Sequence, residues 1–297
     1  MTFILGIIGK KRIAMMADRR LTFANGQYRD DGVKLFRIHA GSDRAIMGYA
    51  GIGVSQSGRE VSDWMRRVIK GKKGDLESYL KYIFNKIDTL MPETMSLVQA
   101  NSHSTIAVAQ IQQTKRIYTH GVCQVNNRRN HSEFKLWRNR NPNMCGVISP
   151  RICITGSGAL HARKKNQWER DLITTFRRFE DGLISLNYLT KHLHSINVNV
   201  AAHDKFVSRK CIIVLTDPLG GSHFSSMGEK DGIEDRCGVE IPTIDNGVDI
   251  SELIQPFLAQ LSNVRSPAEF RQQCNNLNIN AMNTALANLP KKERDNL

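Results

Sequence analysis

The sequence predicts an α+β protein, because strand-length apolar runs alternate with segments that carry an apolar face at helical spacing. Paired short runs occur at residues 2–9 and 13–17, and again at residues 35–39 and 45–51. Residues 55–90 then place apolar side chains three and four positions apart. Periodicity by itself supports this class and no finer architecture.

The first 34 residues contain the strongest signal. Two apolar runs, which end at Gly9 and Ala17, flank the polar pair Lys10 and Lys11, a pattern typical of a hairpin of buried strands. A strand that starts at residue 2 is unusual, because chain termini fray unless something holds them. Removal of Met1, which a small following side chain permits, would leave Thr2 with a hydroxyl nucleophile and an amine base, a recognised way to activate threonine.

Two charged residues accompany this threonine. Asp18 lies 16 positions after Thr2, and Lys34 lies 32 positions after it. A lysine cation near the threonine amine would lower the pKa of that amine, and Asp18 would pair with Lys34 and orient it. Taken singly, the two residues read as an aspartate in a turn and a solvated surface lysine.

The remaining elements follow in chain order. Residues 35–39 and 45–51 predict a second hairpin, in which Gly48 and Gly51 mark places where the backbone bends or allows a close approach. The further predictions are helices over residues 55–70 and 76–90, a hairpin over 103–110 and 116–122, a strand over 147–155, helices over 160–180 and 185–202, and a strand over 211–215.

Residues 123–147 break the pattern and are expected to form a basic insertion. Its segment 126–140 interleaves arginine and lysine with Phe134 and Trp137. Arginine beside aromatic side chains can stack on nucleic-acid bases or hold an acidic protein surface. The other interpretation is a long surface insertion that its aromatic residues anchor.

Composition indicates which partners and which cellular compartment to expect. The formal net charge of +14 favours anionic partners such as nucleic acid or acidic protein surfaces, although no nucleic-acid motif accompanies it. Six cysteines without CxxC spacing argue for reduced thiols in the cytoplasm and against a zinc site or a disulfide framework. No run of eighteen apolar residues or signal-peptide pattern occurs, so we expect no membrane association.

The N-terminal motifs resemble a known family. Thr-x-Ile-Leu-Gly-Ile from Thr2, then Ala17-Asp18-Arg19-Arg20 and Lys34-Leu35, is similar to the catalytic β-subunits of the proteasome and their bacterial relatives. These are N-terminal nucleophile (Ntn) hydrolases of the threonine peptidase type. The resemblance implies a four-layer α-β-β-α sandwich of two antiparallel sheets over residues 1–220, followed by a loop and helical extension over residues 221–297.

The resemblance also assigns roles to residues outside this start. In Gly48-Tyr49-Ala50-Gly51, the N–H of Gly48 would stabilise the oxyanion, the alternative being an ordinary strand-to-helix glycine. In Gly156-Ser157-Gly158, Ser157 would assist proton transfer at the threonine amine. The alternative there is a phosphate cradle at a helix N-terminus. Asp204 and Ser208 are four apart where the family has a spacing of three, so neither receives a role.

Three functions remain open from the sequence. The first is a threonine peptidase with Thr2, Asp18, Lys34, Gly48 and Ser157 as its catalytic residues, needing no cofactor or metal. The family implies peptide or unfolded-protein substrates, a homo-oligomeric ring and often an ATP-dependent unfoldase partner. The alternatives are a non-catalytic ring subunit with the same fold and a basic nucleic-acid-binding protein.

Overall fold

The computed structural model describes ten stretches of the chain. They are residues 2–23, 27–51, 60–94, 102–111, 114–125, 128–138, 150–163, 167–216, 222–228 and 242–252. The helices expected beyond residue 252 lie outside this range.

The strands, in chain order, are β1 (Ile4–Ile8), β2 (Ile13–Asp18), β3 (Leu21–Thr22), β4 (Tyr28–Arg29), β5 (Leu35–Ala40), β6 (Asp43–Ala50), β7 (Ser102–Ile111), β8 (Thr114–Val125), β9 (Arg128–Arg138), β10 (Arg151–Thr155), β11 (Cys211–Thr216), β12 (Ser222–Met227), β13 (Thr243–Asp245) and β14 (Val248–Asp249). The helices are α1 (Val61–Ile69), α2 (Leu76–Thr94), α3 (Gly158–Arg163), α4 (Gln167–Glu180) and α5 (Leu186–Ala201). The α+β class is therefore confirmed.

The N-terminal hairpin lies inside a five-stranded antiparallel sheet with the order β10-β1-β2-β11-β12. Every residue of β1 and of β2 is buried, since both faces of the sheet are covered. This explains why these strands read as continuous apolar runs and not as an alternating pattern.

The turn of this hairpin is fixed to the end of α4 by one carboxylate. Glu180 accepts hydrogen bonds from the backbone N–H groups of Lys10, Lys11 and Arg12, at 2.9, 2.5 and 2.8 Å. Glu180 is buried, so these bonds satisfy its charge away from solvent. The β1–β2 hairpin is thus held at its turn as well as along its strands.

The second sheet has seven strands in the order β14-β13-β5-β6-β7-β8-β9, and a separate two-stranded ribbon pairs β3 with β4. The second predicted hairpin is β5–β6, and the third is β7–β8. The expectation of two antiparallel sheets was wrong for this one, because β13 runs parallel to β5. A strand that arrives from the distant C-terminal part of the chain has no short hairpin to impose an antiparallel direction.

Three apolar clusters describe how the sheets and helices pack. The first joins α1 and α2 to the seven-stranded sheet, through residues that include Met65, Leu80 and Phe36. The second joins the five-stranded sheet to α3, α4 and α5. The third brings together side chains of both sheets, including Ile4, Ile46 and Val214. No helix within the described residues is both long and apolar enough to cross a membrane.

Two segments differ from the sequence prediction. Residues 128–138, expected to be part of a basic loop, form strand β9 at the edge of the seven-stranded sheet. Charged residues are common on edge strands because they discourage pairing with other chains, so a high charge does not exclude a strand. Residues 222–246, expected to be loop, contain β12 and β13, each of which joins a sheet.

Ion pairs attach this C-terminal segment to α1. Nη1 of Arg66 lies 3.1 and 3.0 Å from the two carboxylate oxygens of Asp249, whose side chain is 1% exposed. The backbone N–H of Gly71 also donates to the carbonyl of Gly247 at 2.7 Å. The strand pair β13–β14 is therefore bound to the fold by charge as well as by its ladder.

We expect Arg66→Ala to lower the free energy of unfolding by about 3 kcal/mol, because it leaves the buried Asp249 carboxylate without its cation. Urea unfolding followed by circular dichroism would measure the loss. The matched control is Arg67→Ala, at an exposed position on the same helix, where a change within about 0.5 kcal/mol is expected. Equal effects of the two substitutions would contradict this account.

Candidate active site

The structure brings Thr2, Asp18 and Lys34 into direct contact. The Nζ of Lys34 lies 2.6 Å from Oγ1 of Thr2 and 2.9 Å from Oδ1 of Asp18. All three residues are buried, at 1%, 1% and 5% exposure. Thr2 precedes β1, Asp18 ends β2 and Lys34 precedes β5, so the site lies where the ends of both sheets meet.

Asp18 is held by four hydrogen-bond donors. Its Oδ1 accepts from Lys34 and from the backbone N–H of Phe3 at 2.8 Å. Its Oδ2 accepts from the backbone N–H groups of Arg20 and Ser208, at 2.9 and 3.2 Å. An ionised carboxylate is an acceptor only, so this set of donors suits the charged form of Asp18 and fixes its position.

Burial and charge act in opposite directions on Lys34. Burial lowers the pKa of the Lys34 ammonium, while the negative charge and hydrogen bond of Asp18 partly oppose this shift. The net pKa is below that of an ordinary lysine, so this group exchanges its proton more readily. The Lys34 ammonium donates a hydrogen bond to the Thr2 hydroxyl, 2.6 Å away.

The Gly-Ser-Gly segment lies against the carbonyl of Thr2. The N–H of Gly158 donates to the Thr2 carbonyl oxygen at 3.3 Å. A Cβ atom added at Gly156 would lie only 2.0 Å from the same oxygen, and φ of Gly156 is +91°. Ser157, between them, has a buried Oγ with no hydrogen-bond partner among the described residues. The backbone of this segment thus lies directly against the residue that carries the candidate nucleophile.

Gly156→Ala is expected to lower the free energy of unfolding by about 2–4 kcal/mol, because the new methyl group would overlap the Thr2 backbone in a conformation that L-residues avoid. Gly182→Ala is the matched control: φ there is +74° but nothing lies within 4 Å, so only the backbone cost of about 1 kcal/mol applies. Urea unfolding of both variants measures the difference. Equal losses would show that Gly156 makes no close approach to Thr2.

Gly48 lies in the middle of β6, between Leu35 of β5 and Ile106 of β7. A Cβ atom at this position would meet Leu35, Met15 and Ile4 at 2.9–3.1 Å. The space beside Gly48 is therefore tightly filled by the ends of side chains from both sheets. Its predicted role in binding an oxyanion stays a prediction.

The contribution of Ser208 was missed from the sequence. Because the spacing between Asp204 and Ser208 is irregular, neither residue was given a role in the site. The Ser208 backbone N–H nevertheless donates directly to Asp18. Asp204 is buried, with Oδ1 accepting from the N–H of Phe206 and Oδ2 without a partner among the described residues. A backbone donor leaves no side-chain pattern, so the sequence offered no signal for it.

Within the described residues, no group of His, Cys, Asp and Glu side chains is arranged to hold a metal ion. Cys153 and Cys211 are free thiols. Burial raises the pKa of the Cys153 thiol to about 12, so it is not a reactive nucleophile at neutral pH.

No protein-family model matches the chain, and no curated protein matches it by sequence. Comparison with solved structures identifies a proteasome-related fold. The similar structures include those of Anbu proteins. Anbu from Pseudomonas aeruginosa, described as a helical assembly, has a TM-score of 0.50 and 11% identity, covering 90% of this chain and 98% of that one.

Two further Anbu structures are less similar. The protein from Hyphomicrobium sp. strain MC1 has a TM-score of 0.48 at 10% identity, covering 89% of this chain and 99% of that one. Anbu from Yersinia bercovieri, described as an ancestral beta-subunit, has a TM-score of 0.46 at 8% identity, covering 97% and 98%.

These structures correct the resemblance drawn from residues 2–34. That resemblance, to the catalytic β-subunits of the proteasome and their bacterial relatives of the threonine peptidase type, was wrong. The structural similarity is to Anbu and not to a typical catalytic β-subunit. A motif of three residues describes only one site. It therefore cannot tell apart groups of proteins that share the same fold.

Proposed function

We propose that this chain is an N-terminal threonine hydrolase that cleaves peptide bonds after removal of Met1. The observation that carries the proposal is the buried contact of Lys34 Nζ with both Thr2 Oγ1 and Asp18 Oδ1, at 2.6 and 2.9 Å. A hydroxyl, an ammonium and a carboxylate in contact form an arrangement that activates an alcohol as a nucleophile. The ends of rigid strands hold these groups in place.

In the proposed reaction, Thr2 Oγ1 attacks the carbonyl carbon of the scissile peptide bond. The freed α-amine of Thr2, with a reference pKa of about 8, accepts the hydroxyl proton, directly or through a water bound by Ser157. Collapse of the tetrahedral intermediate breaks the C–N bond, and the leaving amine takes up this proton. Water then hydrolyses the ester and restores the threonine.

Other groups have supporting roles in this proposal. Lys34 as a cation lowers the pKa of the threonine amine, and Asp18 keeps Lys34 in position. The N–H of Gly48 stabilises the oxyanion, an interaction whose loss costs about 100-fold or more in rate. The three apolar clusters are consistent with a four-layer order of helices, sheet, sheet and helices.

The substrate and assembly belong to the same proposal. We expect peptides or unfolded proteins as substrates and an ATP-dependent unfoldase as a partner, in the cytoplasm. The Anbu structure from Pseudomonas aeruginosa is described as a helical assembly, and a homo-oligomer is accordingly proposed for this chain. The proposed enzyme domain covers residues 1–220, and residues 221–297 are its extension.

An electrophile that traps N-terminal threonine tests the proposal. Intact-mass and peptide mass spectrometry of the treated protein should show that Met1 is absent and that one adduct lies on Thr2. Protein that was treated after denaturation is the control, because reaction at Thr2 requires the folded site. A protein that retains Met1 in cells, or carries its adduct elsewhere, would contradict the proposed function.

A further inference from the structure

The side chain of Arg20 connects three segments beside the site. Its Nε and Nη2 lie 2.8 Å from Oδ1 and Oδ2 of Asp30, a two-pronged ion pair. Its Nη1 donates to the carbonyl of Lys205. Its guanidinium carbon lies 4.0 Å from the centre of the Tyr28 ring. Arg20 therefore fixes Asp30 and the segment that begins at Lys205 relative to each other.

Ser208, at the end of that segment, meets the same two carboxylates as Arg20. Its backbone N–H donates to Asp18 Oδ2 at 3.2 Å, and its side chain lies close enough to Asp30 to help lower the pKa of that carboxylate. The backbone N–H of Arg20 donates to the same Asp18 oxygen at 2.9 Å. Arg20 and Ser208 thus hold Asp18 with their backbones and Asp30 with their side chains.

The turn before Ser208 explains its position. The carboxylate of Asp204 accepts from the N–H of Phe206 at 2.9 Å, and its carbonyl accepts from the N–H of Val207 at 3.0 Å. These bonds close a tight turn that delivers the Ser208 N–H to Asp18. The spacing of four residues between Asp204 and Ser208, which looked irregular in the sequence, therefore allows the Ser208 N–H to reach Asp18.

We propose that Arg20, Asp30 and Ser208 form a positioning unit that holds Asp18 against Lys34 and thereby sets the Lys34–Thr2 contact. The proposal rests on the proposed function for its catalytic consequence, but the geometry it describes is independent of that function. These are positioning residues, since none of them contacts Thr2 in the bonds described. The unit is defined by the Arg20–Asp30 ion pair and by the contacts of Ser208 with Asp18 and Asp30.

The Arg20–Asp30 ion pair is largely buried. The side chains of Arg20 and Asp30 are 15% and 19% exposed, so water screens the pair only in part. Burial raises the pKa of Asp30, but the hydrogen bond and charge of Arg20 outweigh this and leave the pKa below its usual value. Asp30 is therefore ionised at neutral pH. The stability that it contributes is lost only as the pH falls below the ordinary aspartate range.

The titration of Lys34 reports the position of Asp18 without any need for catalysis. Three charged groups act on Lys34: Asp18 and Asp30 favour its cationic form, and Arg20 disfavours it. Arg20→Lys and Ser208→Ala leave the net charge unchanged. A changed Lys34 titration in these variants therefore reflects a displacement of the charged groups that the unit holds, with Asp18 the nearest of them, and not an altered total charge.

The experiment measures the Lys34 pKa by NMR of lysine labelled with ¹³C at Cε, with Lys34→Arg used to assign the signal. We expect Arg20→Lys and Ser208→Ala each to lower this pKa below the wild-type value, because Asp18 would lie farther from Lys34. With a fluorogenic peptide, we expect kcat to fall by about 10- to 100-fold in Arg20→Lys. The alkaline limb of its pH profile should move to lower pH.

Arg66→Lys is the matched control, because Arg66 is 14% exposed and paired with a carboxylate on another part of the chain. It should lower the thermal midpoint but leave the Lys34 titration unchanged. If Arg20→Lys and Ser208→Ala behave in the same way as this control, the unit only stabilises the fold and the inference is overturned. If the wild-type protein hydrolyses no peptide, the proposed function fails while the titration still decides the inference.

Discussion

Thr2→Ala abolishes peptide hydrolysis, by about 10⁴-fold or more, while the protein stays folded. The hydroxyl is the proposed nucleophile, and alanine leaves nothing on residue 2 that can form an ester. The cost in stability is about 1 kcal/mol, since one hydrogen bond to Lys34 is lost. Initial rates with a fluorogenic peptide measure activity, and thermal unfolding followed by circular dichroism measures the fold.

Thr2→Ser is the matched control for this result. Serine keeps the hydroxyl and is also small enough for Met1 removal, so this variant should retain measurable turnover and react with the electrophile. A Thr2→Ala protein that hydrolyses peptides at the wild-type rate would dispose of the mechanism. An inactive Thr2→Ser protein with a native thermal midpoint and a removed Met1 would count against the hydroxyl as the reacting group.

Lys34→Met has the largest expected effect on stability and also removes activity. The side chain of Asp18 is 0% exposed, so removal of its cation leaves a buried and unpaired carboxylate. We expect the free energy of unfolding to fall by about 3–5 kcal/mol, as measured by urea denaturation. Peptide hydrolysis should fall to the level of Thr2→Ala, because the ammonium beside the nucleophile is gone.

Two further variants separate the charge from the packing. The double variant Asp18→Asn with Lys34→Met should be more stable than Lys34→Met, because no charge remains buried without a partner. Lys81→Met breaks an exposed pair with Glu77 and should change stability by less than about 1 kcal/mol. A Lys34→Met protein as stable as Lys81→Met would show that Asp18 and Lys34 are not a buried pair.

The sequence predicted the parts of the site that are side chains at regular spacings. Thr2, Asp18 and Lys34 stand at the ends of strongly apolar strands, and the structure joins them at 2.6 and 2.9 Å. Ser208 could not be predicted, because it acts on Asp18 through its backbone N–H. Arg20 belongs to the N-terminal motif, but its partner Asp30 lies on a polar segment without a periodic pattern. The pairing of the two residues was therefore not predictable.

The fold was predictable where both faces of a strand are buried and less so at the sheet edges. The hairpin β1–β2 was correctly placed because it is buried along its whole length, and β5–β6 because most of its residues are buried and apolar. Strand β9 was taken for a loop because an edge strand can carry many charges. The parallel pairing of β13 with β5 joins residues more than 200 positions apart. Local sequence patterns contain no information about pairing over such a separation.

That pairing has a consequence for how the protein is made. Lys34 directly precedes β5, which leaves the ribosome early, whereas the strand that covers the edge of β5 begins at Thr243. Likewise β2 gains its neighbour β11 only once residues near Cys211 have been synthesised. During translation the nascent chain therefore carries unsatisfied strand edges near Thr2, and such edges bind other chains readily. We expect synthesis to depend on chaperones that shield the emerging N-terminal half until the last strand arrives.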